Sequence, residues 1–317
     1  MSDWQPGSSL QLLKARAAML DSIRQFFRAH EVLEVETPLL ARAPGTDVYI
    51  DALSTRLQHS STPLQLYLQT SPEFAMKRLL AAGSGPIFQI CKAFRDDPPG
   101  RMHNPEFTML EWYRPQFGLE EMIAELAALI RQLMPCDDIP LFTYHQLFLD
   151  ILDINPHTAA PDAILSLAHN KLDLVGADLG TVDCLQQLMA HCIEPQLPKI
   201  CIIYDYPVDQ AALAEIGDDA SGHQVARRFE LYINSVEIAN GYQELTDPTE
   251  QRARFEKDLA VRKTQGLEIY PLDEKFLQAL AEIPPCSGVA VGLDRLLMQM
   301  TNIKDIDAAL SFGIKRC

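Results

Sequence analysis

The order of strand-like and helix-like segments constrains this chain more than any other feature. Two strand patterns stand back to back, Ile87–Arg95 and Glu106–Arg114, separated by a loop of turn formers that runs Asp96, Asp97, Pro98, Pro99, Gly100. Two more stand together near the end, Phe229–Ala239 and Tyr242–Leu245, with the hairpin or bulge signal Asn240-Gly241 between them. Strands joined by short loops pair antiparallel, because parallel neighbours need a long crossover. The chain is therefore expected to be α+β, with a mixed, largely antiparallel sheet flanked by helices. Regular βαβ alternation is excluded.

The remaining elements fit this frame. Leu12, Leu13, Ala17, Leu20, Ile23, Phe26 and Phe27 recur at helical spacing and predict a helix over 10–29. An alternating strand, Val32–Thr37, ends at Pro38, a second runs over Leu64–Gln69, and Pro72 then opens a helix to about Ala82. Residues 119–193 read as mainly helical, with breaks at Pro135, Pro140, Pro156 and Pro161. Lys199–Tyr206 reads as a buried strand, and helices are expected at 248–264 and 273–282. The small-residue strand Ser287–Leu293 feeds a helix over Asp294–Met300. With no repeat, low-complexity tract or linker, 1–317 is expected to be a single domain, and 47% hydrophobic residues suffice for a sizeable core.

Charge narrows the function. Lys and Arg number 27 against 43 Asp and Glu, a net charge of −16, whereas a polyanion binder needs clustered basic residues. The densest basic stretch, Arg252–Lys263, is broken by Glu256 and Asp258 and reads as a solvated helix face. No apolar run approaches the roughly 20 residues that span a bilayer. Met1–Ser9 is polar and carries Asp3, unlike a signal peptide. Seven scattered cysteines without a C-x-x-C pair point to reduced thiols in a cytoplasmic protein and give no support to a zinc site.

Phosphate-loop, dinucleotide and nucleophile-elbow signatures are absent, so any ATP would bind on side chains of a sheet. Three segments hold suitable chemistry. Arg95, followed across a loop by His103, Asn104 and Phe107, offers a guanidinium fork and an aromatic face, though a surface hairpin would look the same. Glu230, Glu237 and Glu244 fall amid apolar strand positions, where a buried carboxylate needs Mg²⁺, an ammonium group or a Lys or Arg partner. Gly288–Gly292 is slim enough for a flat ring to approach the backbone, and Arg295 opens the helix beside it, although a tight strand–helix junction has the same composition.

Taken in order, these segments resemble the three motifs of class II aminoacyl-tRNA synthetases: Thr37-Pro38 after a long helix, Phe94-Arg95 with His103–Tyr113, and Gly288–Arg295. The lysyl subgroup is indicated by Ser71–Leu79, by His103–Met109, and by Asn240-Gly241 with Glu244 three residues on. The resemblance runs from about residue 10 to the end. Within it, Glu111–Pro115 and Cys286–Ala290 look like the elongation factor P–lysine ligases, a family similar to a lysyl-tRNA synthetase reduced to its catalytic domain.

That resemblance implies roles. Arg95 would bridge the amino-acid carboxylate and the ATP α-phosphate, and with Arg295 would be catalytic. Phe107 and Arg295 would sandwich adenine, Arg295 and His103 would face the outer phosphates, and Asp96, Asp97, Asn104, Glu237, Ile238 and Gly292 would complete the ATP site. Glu230 and Glu237 would hold Mg²⁺. Ser71, Pro72, Glu73, Glu111, Tyr113, Asn240, Glu244 and Ala290 would select lysine or (R)-β-lysine, because neutral amino acids leave buried carboxylates unpaired.

Some positions depart from the pattern. Asp96-Asp97 replaces the usual Asn-Glu, Met102 stands where full synthetases have arginine, and Ala290 replaces a glycine of lysyl-tRNA synthetases. The Ala290 methyl is expected to favour (R)-β-lysine over α-lysine. Only about 30 residues precede Val32, against on the order of 100 for an anticodon-binding domain, so together with the acidic balance a tRNA acceptor is disfavoured. The family's acceptor is a lysine of elongation factor P, and its domains pair as homodimers. A minimal synthetase acylating RNA and a non-catalytic amino-acid-sensing paralogue remain the alternatives.

Overall fold

The computed structural model describes residues 4–59, 62–172 and 179–317. Positions 173–178 of the expected helical stretch, and the first three residues of the segment read for a signal, lie outside these. In chain order the first half comprises α1 (Leu10–Ala29), β1 (Leu33–Glu34), β2 (Leu40–Ala41), β3 (Ser54–Leu57), β4 (Leu64–Leu68), α2 (Glu73–Ala81), β5 (Ile87–Phe94), β6 (Glu106–Pro115) and α3 (Leu119–Leu133). There follow β7 (Leu141–Thr143), α4 (Tyr144–Leu152), α5 (Pro161–Leu172), α6 (Thr181–Leu188), β8 (Ile200–Tyr206), β9 (Ile216–Asp218), β10 (Gln224–Ile233) and β11 (Val236–Gln243). The chain closes with α7 (Pro248–Thr264), α8 (Glu274–Leu280), β12 (Cys286–Gly292), α9 (Leu293–Thr301) and α10 (Ile306–Ala309).

Among the described residues the large sheet runs β1-β5-β6-β12-β11-β10-β8-β7, with β9 pairing on β10. Only its outer pairs, β1–β5 and β7–β8, are parallel. The α+β, largely antiparallel expectation holds. One face of the central strands, with Leu110, Trp112, Val289, Val291 and Ala239, packs on α1, α3 and α9. Phe27 stacks on Phe88 at 4.5 Å, and Trp112 donates Nε1–H to Glu125 at 2.9 Å, so the indole's one polar atom is satisfied. Burying side chains of this size contributes about 1.5–3 kcal/mol each.

Register sets the opposite face. Gln89, Glu111, Ala290, Asn240 and Glu230 lie opposite one another across five strands, and Tyr113, Gly288 and Tyr242 form the next row. Polar residues thus alternate with apolar ones along each strand, and the polar rows look away from α1 and α3.

Two expectations are corrected. The hairpin turn is Asn234-Ser235, with φ of 49° and 60°, which is the double positive-φ geometry of a two-residue hairpin. Asn240-Gly241 lies inside β11, and Gly241 is there because a Cβ would fall 2.3 Å from the Phe229 ring. The basic face of α7 is only partly solvated. Arg252 and Arg254 pair with Glu274 and Glu250 near the surface, but Arg262 is 0% exposed, ion-paired to Asp51 at 2.5 Å and 4.4 Å from the Tyr270 ring.

Candidate active site

The polar face of the sheet forms the floor of a cavity of about 1030 Å³, walled by the segment around Thr46, by α2, by the β5–β6 loop and by α9. Its two ends carry opposite charge.

Arg95 follows directly on β5, with its backbone N–H held by Pro105 at 2.9 Å. Its guanidinium lies 5.2 Å over the Phe107 ring, and its buried Nε has no hydrogen-bond partner among the described residues. Arg295, in the first turn of α9, donates to the Glu237 carbonyl at 3.2 Å and meets His103 Nε2 at 2.7 Å. Burial and the two arginines hold His103 below its ordinary pKa, so the ring is neutral and accepts from Arg295. Two cations, an aromatic face and a neutral imidazole thus share one end, where an anionic nucleotide would replace the missing partner of Arg95.

Glu237, Ile238, Asn104, Asp97 and Gly292 also line this end. Burial, with Glu230 nearby, pushes Glu237 up to about 7. Asn104 is fastened to Ile314 N and to the Glu106 carbonyl, at 3.0 and 2.6 Å. Asp96 is exposed and does not line the cavity, its backbone N–H bonding to the Asp51 carbonyl at 2.9 Å instead. Glu230 is absent from the lining as well. One of its oxygens accepts from Tyr206 and Tyr232 at 2.7 and 2.6 Å, the other from Arg228.

The opposite end is acidic. Ser71, Pro72, Glu73, Glu111, Asn240 and Ala290 line the cavity, and a water-sized hole beneath it is enclosed by Glu73, Glu111, Tyr113, Tyr242, Glu244 and Gly288. Ser71 Oγ accepts from Glu73 N at 3.2 Å, setting the first turn of α2, and Tyr113 donates to Glu111 at 3.0 Å. Burial pushes Glu111 up to about 8, with Glu73 adding repulsion. Glu244 is raised to about 7 by burial even though Lys77 pulls it down. Gly288 is sterically required, because a Cβ would sit 2.4 Å from the Tyr113 ring and 2.5 Å from Glu244 Oε1.

Two residues that sequence reasoning left without a role organise both ends. Lys77 is wholly buried and ion-paired to Glu73 and Glu244, at 2.7 and 2.5 Å. Burial works against its charge, but the two carboxylates outweigh it and raise its pKa. Arg228 bridges Glu230, Asn240 Oδ1 at 3.2 Å and the Gln210 carbonyl at 2.9 Å, with its guanidinium 4.7 Å from the Tyr206 ring. Three acids against Lys77 leave the acidic end short of positive charge, which suits an ammonium ligand.

One buried link joins the motifs. Asp294 accepts from Arg16 at 2.6 Å with one oxygen and from the Thr108 N–H at 2.6 Å with the other, and Arg16 also donates to Thr108 Oγ1 at 2.6 Å. Arg295 is thereby set by α1 and β6 together.

Comparison with known proteins shows the family. The family profile "tRNA synthetases class II (D, K and N)" matches residues 3–316. A protein of Pseudoalteromonas translucida named elongation factor P–(R)-beta-lysine ligase is 45% identical over 99% of this chain and 98% of its own length. Proteins of the same name from Proteus mirabilis and Salmonella typhi are 44% and 43% identical, over 100% and 99% of this chain and 99% and 98% of theirs.

Proposed function

This chain belongs to the class II (D, K and N) tRNA synthetase family, and within it to the elongation factor P–(R)-beta-lysine ligases; on that premise we propose that it activates (R)-β-lysine with ATP and transfers it to a lysine ε-amine of elongation factor P. The carrying observation is the polarity of the cavity, with Arg95 and Arg295 at one end and Glu73, Glu111 and Glu244 at the other. A β-amino acid laid between them puts its carboxylate against Arg95 and its ammonium groups against the glutamates.

In the first step the substrate carboxylate attacks the α-phosphorus and pyrophosphate leaves. Arg95 holds the two repelling anions together and meets the charge that grows on phosphorus, while Phe107 and Arg295 take the adenine face. In the second the acceptor amine attacks the adenylate carbonyl, an amide forms, AMP leaves and the amine gives up its proton. Glu237 has the hard oxygen donors and the cavity-facing position that fit a Mg²⁺ ligand, and a cation there would displace the proton that burial and the neighbouring Glu230 otherwise help it keep. Mg²⁺ would neutralise the outer phosphates and ease pyrophosphate departure.

The chain is read as one catalytic domain that works as a cytoplasmic homodimer without tRNA. Supporting this, Leu33, Leu39 and Leu40 near the expected pairing segment are exposed, no described helix is long and apolar enough to cross a membrane, and the balance of charge is acidic. The test is transfer of labelled (R)-β-lysine or α-lysine, with ATP and Mg²⁺, to purified elongation factor P and separately to bulk tRNA. Label on the protein is expected; label on tRNA alone would make the chain a minimal synthetase.

A further inference from the structure

A buried cation outside the cavity reaches round to the end of the strand that leads into Arg95. Arg262, in the last turn of α7, is wholly buried. Its Nε–H bonds to the Glu268 carbonyl at 2.8 Å, and its guanidinium lies 4.4 Å from the Tyr270 ring. Those two contacts tie down the exit of α7, and a structural role explains them. The rest of the fork points elsewhere. Nη1 donates to the carbonyls of Asp47, Val48 and Ile50, at 2.9, 3.4 and 3.4 Å, and Nη2 to the Asp51 carboxylate at 2.5 Å.

The gripped segment has no ladder of its own. Residues 42–51 form neither helix nor strand, although Thr46–Ile50 wall the cavity. Among the described residues their one internal backbone hydrogen bond is Ile50 N–H to the Asp47 carbonyl, at 3.5 Å. Side chains hold the segment instead. Thr46 donates to Asp258 at 3.1 Å and Tyr49 to Asp183 at 2.5 Å, while Arg262 takes four oxygens.

Asp51 passes the grip on. Its carbonyl accepts the Asp96 N–H at 2.9 Å, next to Arg95 N–H on the Pro105 carbonyl and Phe94 N–H on the Gln69 carbonyl, both also at 2.9 Å. Three successive amides thus pin the backbone at Arg95. Its Nε has no partner among the described residues, so the aim of the guanidinium rests on that backbone and on the Phe107 ring. Of the three accepting residues, Asp51 is the one whose side chain is paired with a buried cation.

We propose that Arg262 is a positioning residue for the activation step: through Asp51 it fixes the backbone that aims Arg95, and through three carbonyls it holds the cavity wall. The inference rests on the role read above for Arg95. A planar fork with five donors gathers these oxygens at once, which the point charge of a lysine in its place cannot do.

Pyrophosphate exchange in a double-mutant cycle tests the coupling. Arg262→Lys keeps the charge and loses the fork, and is expected to slow exchange about 10–100-fold, the scale of a misplaced reacting group. In an Arg95→Ala background the same change should slow it by less than about 2-fold, because the group it aims is gone. Equal slowing in both backgrounds, or none in the unaltered one, would overturn the proposal and leave the role of Arg95 standing. Exchange untouched by Arg95→Ala alone would overturn that role and the proposal with it. If circular dichroism shows Arg262→Lys unfolded, Asp51→Asn decides by the same cycle, since that side chain is half exposed and its backbone carbonyl remains.

Discussion

Lys77 Nζ lies 2.5 Å from Glu244 at the acidic end of the cavity, and neither side chain is more than 1% exposed. A lysine supplied by α2 thus neutralises one of the carboxylates that line the substrate pocket. Removing it leaves Glu73 and Glu244 without their cation. Lys77→Met is expected to destabilise the protein by about 3–5 kcal/mol at pH 8, read from urea unfolding, with partial recovery in Lys77→Met/Glu244→Gln. An unchanged midpoint in the single variant would mean that the pair is not formed.

The raised carboxyls make the free protein sensitive to base. Glu111, Glu237 and Glu244 keep protons up to about 8, 7 and 7, whereas in the unfolded chain they lose them near 4.5. The folded state therefore binds more protons, and stability falls as pH rises toward the folded values. Between pH 7 and 8, above the ordinary histidine pKa of about 6.5, the urea midpoint of the free protein should drop. Glu111→Gln should flatten that slope, and saturating (R)-β-lysine should as well. A rising midpoint over this window would contradict the assignment.

Among the described residues Arg95 has no ion-pair partner and its Nε no hydrogen-bond partner, so Arg95→Ala gives up little internal bonding. Its effect should fall on chemistry. Pyrophosphate exchange is expected to slow by about 10²–10³-fold while the melting temperature stays put. A large loss of stability with normal exchange would reverse this reading.

Gly288→Ala places a methyl against the Tyr113 ring and Glu244. The strain should cost about 1–3 kcal/mol and, by displacing Tyr113 from Glu111, raise the KM for the amino acid more than that for ATP. Equal shifts in both constants would point to a general loosening of the sheet.

Ala290 stands opposite both Glu111 and Asn240, at the centre of the polar row. Ala290→Gly should move the ratio of activation rates, (R)-β-lysine over α-lysine, toward α-lysine. The check is pyrophosphate exchange with each isomer, and an unmoved ratio would remove the methyl from the account of specificity.

Much of this was legible before any coordinates. The periodicity of Leu12 through Phe27 marked α1, and the apolar runs after Ile87 and Glu106 marked β5 and β6, because those patterns are local. The turn was misplaced because Asn-Gly is the stronger short-range signal, while the reason for Gly241 lies in Phe229, twelve residues back on the neighbouring strand. The short strands β2, β3, β7 and β9 escaped notice, since pairing rather than composition defines them. Glu230, Glu237 and Glu244 were recognisable from their strand positions as needing a cation, while Glu73 and Glu111 entered through the family resemblance. That Lys77 serves two of them, and Arg228 serves Glu230, depends on which side chains the fold brings within reach.

The Arg16–Asp294–Thr108 link has a consequence for how such a protein can change over generations. Three stretches of chain that lie far apart in the gene meet on one buried carboxylate, and each supplies what another lacks. Losing Asp294 strands Arg16 and the Thr108 amide, and losing Arg16 leaves Asp294 without its cation, so single steps at those two positions are costly, whereas the amide bond from position 108 survives a change of side chain. The outer pocket is free to drift toward a new amino acid or acceptor, while the hinge of its machinery passes down as a single heritable unit.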